Sequence, residues 1–174
     1  MATPPAQVEL GRDRDLRGRN GGLWARRALM TLIAAIPVLA LFNLFGQRPA
    51  TSVASTPKAT LKVYSASRLR GGLLYTSRFT VTAHQELKKA MLVLDGGWME
   101  QLTFNAVVPQ PVTQASANGR LSLELGHIRA GQSYILYISY QVNPTNVGHR
   151  SQDVELLDGT TPITTVHRTL TVYP

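Results

Sequence analysis

The sequence contains no cysteine and few charged residues for its length of 174 residues. The lack of cysteine excludes a disulfide scaffold, a thiolate zinc site, an iron–sulfur cluster and a cysteine nucleophile. Charged residues make up 16% of the chain, against roughly 25% in typical soluble domains. The deficit is local, because residues 28–47 contain no Asp, Glu, Lys or Arg. The apolar content of 44% is ordinary for a globular protein and excludes disorder throughout.

The positive charge is spread along the chain rather than concentrated. Residues 1–27 contain six arginines and three acidic residues, and residues 48–174 contain twelve basic and seven acidic residues. Neither part is the dense basic stripe of a dedicated nucleic-acid-binding protein. We therefore expect no nucleic-acid partner.

A long uncharged stretch predicts one membrane span. Ala28 to Gly46 would form a helix of about 28 Å, close to the thickness of the hydrocarbon layer. Trp24 stands where an aromatic ring favours the membrane interface, and Pro37 lies mid-span, where a proline is tolerated. We expect a transmembrane helix over residues 23–46. The alternatives are a buried helix of a soluble protein and a cleaved signal peptide, for which Ser52-Val53-Ala54 offers a weak cleavage pattern.

The flanks of this span predict its orientation and the organisation of the chain. Arginines crowd the N-terminal flank up to Arg26 and Arg27, and basic residues remain on the cytoplasmic side. We expect a cytoplasmic N-terminus in the cell membrane and an extracytoplasmic C-terminal domain. Residues 1–22, rich in Gly, Pro and charge, are expected to be disordered. Residues 47–59, rich in Pro, Ser, Thr and Ala, are expected to form an exposed linker.

Residues 60–174 have the alternating pattern of half-buried β-strands. The predicted inward residues are Phe79, Val81 and Ala83; Leu121, Leu123 and Leu125; and Tyr134, Leu136, Ile138, Tyr140 and Val142. Both faces of 134–142 carry apolar residues, so this strand should be central. Turn signals separate the strands, including Gly71-Gly72, Asn118-Gly119 and Asp158-Gly159. The pattern predicts an all-β antiparallel sandwich of seven or eight strands.

The turns and strand spacing also carry a resemblance to a family. The stretch from Leu125 to Ser133, the strand at 134–142, Gly148 and the hairpin around Asp158-Gly159 resemble the immunoglobulin-like repeat domains of bacterial cell-surface proteins. The resemblance covers about residues 60–174. It implies an immunoglobulin-like fold whose last two strands pair as a hairpin, and a location in the cell envelope. It implies no particular functional residues.

No motif in the chain predicts catalysis or metal binding. The four histidines, His84, His127, His149 and His167, lack the close spacing of common metal sites. There is no Gly-x-Ser-x-Gly turn, and the few acidic residues of 48–174 lie mostly at strand edges and turns. We therefore expect neither an enzyme nor a cofactor nor a metal site.

A few residues are candidates for a binding surface. Trp98 follows two glycines and could stand at a loop tip, where it would stack on a partner, or pack on the end of the sandwich. Five basic residues would attract an anionic partner if they share a face: Arg68, Arg70, Arg78, Lys88 and Lys89. We expect a protein-binding or assembly module that serves a membrane or envelope protein, with an accessory subunit of a membrane complex as a close variant. The alternative is a module that binds wall glycan or an anionic polymer.

Overall fold

The computed structural model describes residues 20–42 and 46–174, and two compact units divide the chain between Phe42 and Asn43. Most of the tail expected to be disordered therefore lies outside the described residues. The exception is residues 20–22, which were assigned to that tail and are helical.

One apolar helix, α1, runs from Asn20 to Leu41. Its 22 residues span about 33 Å. The stretch Gly21–Leu41 has a mean hydropathy of 1.5 and buries none of its residues within the structure. Pro37 lies inside the helix, and the guanidinium of Arg27 is 5.8 Å from the centre of the Trp24 ring. The helix begins earlier than the predicted residue 23, and its length and composition fit a membrane anchor or a signal sequence.

The described part of residues 43–174 forms an all-β unit of twelve strands, more than the seven or eight predicted. The strands are β1 (Arg48–Ser55), β2 (Ala59–Arg70), β3 (Leu74–Ala83), β4 (Leu87–Leu94), β5 (Leu102–Val108), β6 (Thr113–Ala117), β7 (Arg120–Ile128), β8 (Ser133–Val142), β9 (Gly148–Ser151), β10 (Val154–Asp158), β11 (Thr161–Val166) and β12 (Thr169–Tyr173). A short 3₁₀ helix, Gly96–Trp98, connects β4 to β5.

These strands form two sheets. The seven-stranded sheet has the order β5–β8–β3–β2–β12–β9, with β1 also paired to β2. The five-stranded sheet has the order β11–β10–β4–β7–β6. Every pairing is antiparallel except that of β12 with β2. β8 lies between β5 and β3, which confirms the central strand predicted at 134–142.

The core lies between the two sheets and follows the predicted alternation. The inward residues of β3 and β7 are buried, as are Leu136, Ile138, Tyr140 and Val142 of β8. The outward residues between them are exposed or half-buried. Asn118 and Gly119 have φ values of 53° and 72° and close the β6–β7 hairpin as the predicted two-residue turn.

Two expectations about the chain path are corrected. Residues 48–55, expected to belong to an exposed linker, form β1 and pair with β2 along its length. The last two strands do not pair with each other. The hairpin at Asp158-Gly159 joins β10 to β11, and β12 then pairs with β2 and β9 of the other sheet. Because of this change of partner, β12 pairs with β2, the first long strand.

Candidate functional site

The two sheets differ sharply in charge. The strands of the seven-stranded sheet contain six basic residues and no Asp or Glu: Arg48, Lys62, Arg68, Arg70, Arg78 and Arg150. The strands of the five-stranded sheet contain three basic and three acidic residues: Lys88, Lys89, Arg120, Glu124, Glu155 and Asp158. The positive charge of the unit is therefore concentrated on one sheet.

The acidic residues of the five-stranded sheet have close basic partners. Arg120 Nη2 lies 2.9 Å from Glu155 Oε2, and Lys58 Nζ lies 2.8 Å from Asp158 Oδ2. Asp158 accepts hydrogen bonds from the Lys58 ammonium group and from the backbone N–H of Lys89, and these bonds lower its pKa. The Thr113 hydroxyl and Lys89 likewise lower the pKa of Glu124. The acidic side chains of this face are therefore balanced by basic groups that lie next to them.

The outer face of the seven-stranded sheet carries a row of side chains that crosses four strands. Tyr64 of β2 is opposite Arg78 of β3, Arg78 is opposite Tyr137 of β8, and Tyr137 is opposite Val108 of β5. The Arg78 guanidinium lies 5.4 Å from the centre of the Tyr64 ring. Tyr64, Tyr137 and Val108 remain 38%, 42% and 59% exposed. We call this row, with the neighbouring Val53, Lys62 and Ile135, the tyrosine face.

The rows on either side extend the tyrosine face. On one side Val53 of β1 is opposite Lys62, which is opposite Thr80, which is opposite Ile135. On the other side Thr76 is opposite Ser139, with hydroxyls 3.1 Å apart. A shallow cavity of about 450 Å³ opens there, lined by Gln47, Leu74, Tyr75, Thr76, Asn105, Ser139 and Tyr140. The face thus combines exposed rings, basic groups, hydroxyls and a depression.

Trp98 is not on this surface. It is fully buried, 5.2 Å from the Phe79 ring and 5.7 Å from the Tyr140 ring, measured between ring centres. Its indole N–H donates to the carbonyl of Asp153 at 3.2 Å. The prediction of a surface-binding Trp98 is therefore wrong, and the alternative of packing in the sandwich is correct. Gly97 allows this placement, because a Cβ there would collide with the backbone of Ser151.

The five predicted basic residues do not share a face. Arg68, Arg70 and Arg78 belong to the seven-stranded sheet, whereas Lys88 and Lys89 belong to β4 of the other sheet. Lys89 Nζ also lies 3.3 Å from Glu124 Oε2, so part of its charge is locally balanced. The separation arises because the chain crosses between sheets from β3 to β4.

Sequence reasoning missed a buried arginine. Arg168 is 8% exposed, its guanidinium stacks 5.5 Å from the Trp98 ring centre, and its Nη2 donates to the carbonyls of Ser65 and Ala66 at 3.2 and 3.1 Å. The signal was present in the alternation, since Val166, Leu170 and Val172 are inward and Arg168 has the same parity. It fastens the connection between β11 and β12 onto β2.

Two tyrosines share the interior with this arginine. Burial raises the pKa of Tyr75 to about 12, although the hydrogen bond from Gln152 Nε2 at 3.5 Å opposes the shift. Burial also raises the pKa of Tyr140 well above its ordinary value, and burial lowers the pKa of Arg168. The Tyr75 and Tyr140 rings stack with centres 5.1 Å apart. These groups are structural, because they face the core rather than solvent.

The histidines lie apart from one another, each with a different polar partner. His127 lies 2.7 Å from Glu86 and His167 lies 2.7 Å from Asp153, while His84 and His149 contact threonine hydroxyls. Among residues 20–42 and 46–174, no group of three His, Asp or Glu side chains could hold a metal ion.

The chain matches no protein-family model and no curated protein.

Proposed function

We propose that this protein is a single-pass membrane protein of the cell envelope whose β-sandwich binds a membrane or envelope protein through the tyrosine face. In this proposal α1 is an uncleaved anchor, the N-terminus is cytoplasmic and the sandwich is extracytoplasmic and immunoglobulin-like. The anchor is supported by the length and hydropathy of α1, and the orientation by Arg26 and Arg27 at its N-terminal half.

The observation that carries the proposal is the row Tyr64–Arg78–Tyr137–Val108, whose tyrosines and valine are exposed, on a sheet whose strands contain no acidic residue. Tyrosine and arginine are enriched in the energetically important parts of protein interfaces. Their rings and guanidinium offer large contact areas, and a β-sheet holds them in a rigid arrangement. The cavity beside Thr76 and Ser139 would receive a side chain of the partner.

The immunoglobulin-like assignment rests on the two packed sheets and on the path of the chain. The sheets are antiparallel apart from one parallel pairing, and the chain passes between them repeatedly, for example from β3 to β4 and from β11 to β12. A sandwich of this kind presents its outer faces and its loop ends to partners.

The test is crosslinking in intact cells with the tagged full-length chain and two double variants. Tyr64→Ser with Tyr137→Ser removes both rings of the tyrosine face. The matched control, Lys88→Ser with Gln114→Ser, changes two exposed residues of the five-stranded sheet. We expect one dominant captured protein that is lost from the tyrosine variant and retained by the control. Equal capture by both variants would refute the assignment of the face.

The alternative function is binding of wall glycan or an anionic polymer, and the six basic residues of the seven-stranded sheet favour it. The burial of Trp98 removes the aromatic residue first assigned to this role. Binding of a polyanion should weaken steeply with salt and fall in a Lys62→Gln, Arg78→Gln variant. A protein partner held mainly by the tyrosines would survive added salt.

A further inference from the structure

The end of the seven-stranded sheet at which β1 begins gathers arginines and exposed apolar loop residues. Arg48, the first residue of β1, is opposite Arg68 of β2, and β2 ends two residues later at Arg70. All three are exposed, and their side chains have no Asp or Glu partner among the described residues. The Arg70 Nε donates to the backbone oxygen of Pro174 at 3.0 Å. We call this end of the sheet, with its loops, the proximal end.

The loops of the proximal end expose apolar side chains. Leu73 and Leu74, at the turn from β2 to β3, are 39% and 64% exposed, and Val147, before β9, is 49% exposed. The two loops are packed together. The Gly72 N–H donates to the Val142 carbonyl at 3.0 Å, and a Cβ on Gly71 would lie 2.7 Å from the Pro144 carbonyl oxygen. The turn that carries the leucines therefore lies beside the loop that leads to Val147.

The connection between α1 and β1 is short. Only residues 42–47 separate the end of α1 from the start of β1. Fully extended, this connection reaches at most about 25 Å. If α1 spans a bilayer, Arg48 starts its strand close to the headgroups. The opposite end of the sheet, at the β7–β8 turn, carries Arg129 and Ala130 and is a strand length further along the sheet.

We propose that the proximal end docks on the bilayer in which the protein is anchored. Arg48, Arg68 and Arg70 would bind anionic lipid headgroups, and Leu73, Leu74 and Val147 would enter the interfacial layer. Arginine attracts anionic lipid near the surface, and apolar side chains partition into the interface. The nearby acidic residue Glu100 lies 3.5 Å from Arg150, which reduces its repulsion of the headgroups. This inference rests on the anchor of the proposed function. Docking would fix the direction in which the tyrosine face points.

The absence of cysteine allows a clean test with single-cysteine labels on the full-length chain in nanodiscs. An environment-sensitive fluorophore is attached at Leu73→Cys, at Ala130→Cys on the opposite end, or at Leu32→Cys within α1. Discs contain either phosphatidylcholine alone or phosphatidylcholine with phosphatidylglycerol. We measure the emission shift and the quenching by lipids that carry a quencher in the interfacial region.

We expect a blue shift and loss of fluorescence at position 73 in anionic discs, and no such change at position 130. The variant Arg48→Gln, Arg68→Gln, Arg70→Gln should reverse the change at 73, with its far-UV circular dichroism unchanged. A lipid-exposed label at 32 with a water-exposed label at 73 would overturn docking and leave the anchor intact. A water-exposed label at 32 would overturn the anchor and docking together. Equal burial at 73 in both disc types would overturn the role of the arginines.

Discussion

The outer faces of the two sheets differ in how their charged side chains are partnered. On the five-stranded sheet the acidic residues lie beside cations, as in the pairs Arg120–Glu155 and Lys89–Glu124. On the seven-stranded sheet Lys62 and Arg78 share the surface with Tyr64 and Tyr137, without a carboxylate on any strand. Exposed ion pairs mainly keep a surface soluble and contribute little stability. The second face leaves its positive charge and its rings available to a partner, which is why we place the binding function there.

The largest effect is expected from Trp98, which is fully buried in the core. Trp98→Ala removes an indole that packs on Phe79 and Tyr140 and should lower the free energy of unfolding by about 3–5 kcal/mol. Urea denaturation followed by far-UV circular dichroism would measure it. Trp24→Ala on α1 is the matched control and should leave the unfolding of the sandwich unchanged. A loss for Trp98→Ala no larger than that of the control would show that the sheets do not depend on this residue.

The next effect concerns the buried Arg168. Arg168→Met keeps most of the apolar contact with Trp98 but leaves the carbonyls of Ser65 and Ala66 without their donor. The free energy of unfolding should fall by about 1–3 kcal/mol. His167→Gln, next to it and mostly exposed, should change stability by less than about 0.5 kcal/mol. The same denaturation experiment compares them, and equal effects would contradict the anchoring role of Arg168.

The interior should also respond to high pH. The pKa of Tyr75 is raised to about 12 in the folded protein, and that of Tyr140 is also raised. A raised pKa keeps these groups protonated in the fold after they ionise in the unfolded chain. Their stabilisation is thus complete below pH 10 and is lost between pH 10 and 12. Tyr75→Phe should flatten the loss of melting temperature over that range, and an unchanged slope would contradict the role of Tyr75.

The smallest effect tests the difference between the outer faces directly. Arg68→Gln removes a positive charge that is opposite Arg48, so at low salt it should stabilise the fold by a few tenths of a kcal/mol, roughly. Arg120→Gln removes the partner of Glu155 and should destabilise the fold by about 0.2–1 kcal/mol. Both changes should shrink in high salt. Thermal melts at two salt concentrations would reveal them, and effects of the same sign would remove the electrostatic distinction between the sheets.

The fold class could be predicted because alternation is a local signal. Residues 79–83, 121–125 and 136–142 show it, and the structure buries their inward members. β1 could not be predicted in this way. Its composition is that of a linker and its side chains are mostly exposed or half-buried, so only its hydrogen bonds to β2 make it a strand.

The candidate site was harder to predict than the fold. Tyr137 and Ile135 were recognised as apolar residues on the second face of a central strand, but Tyr64 and Val108 were not connected with them. These residues become neighbours only through the pairing register of β2, β3, β8 and β5. The five basic residues of 68–89 are close in sequence, but a change of sheet separates them.

The sequence by itself determined two kinds of element: an apolar helix long enough to cross a membrane, and strands whose inward faces are apolar. These depend on contacts within a few residues and on the difference in hydration between apolar and polar side chains. Only the tertiary structure decided the surface. The pairing of β2, β3, β8 and β5 places Tyr64, Arg78 and Tyr137 side by side, and the packing of the two sheets buries Trp98 with Arg168. Such positions depend on strand order and register, which are set by residues distant in sequence.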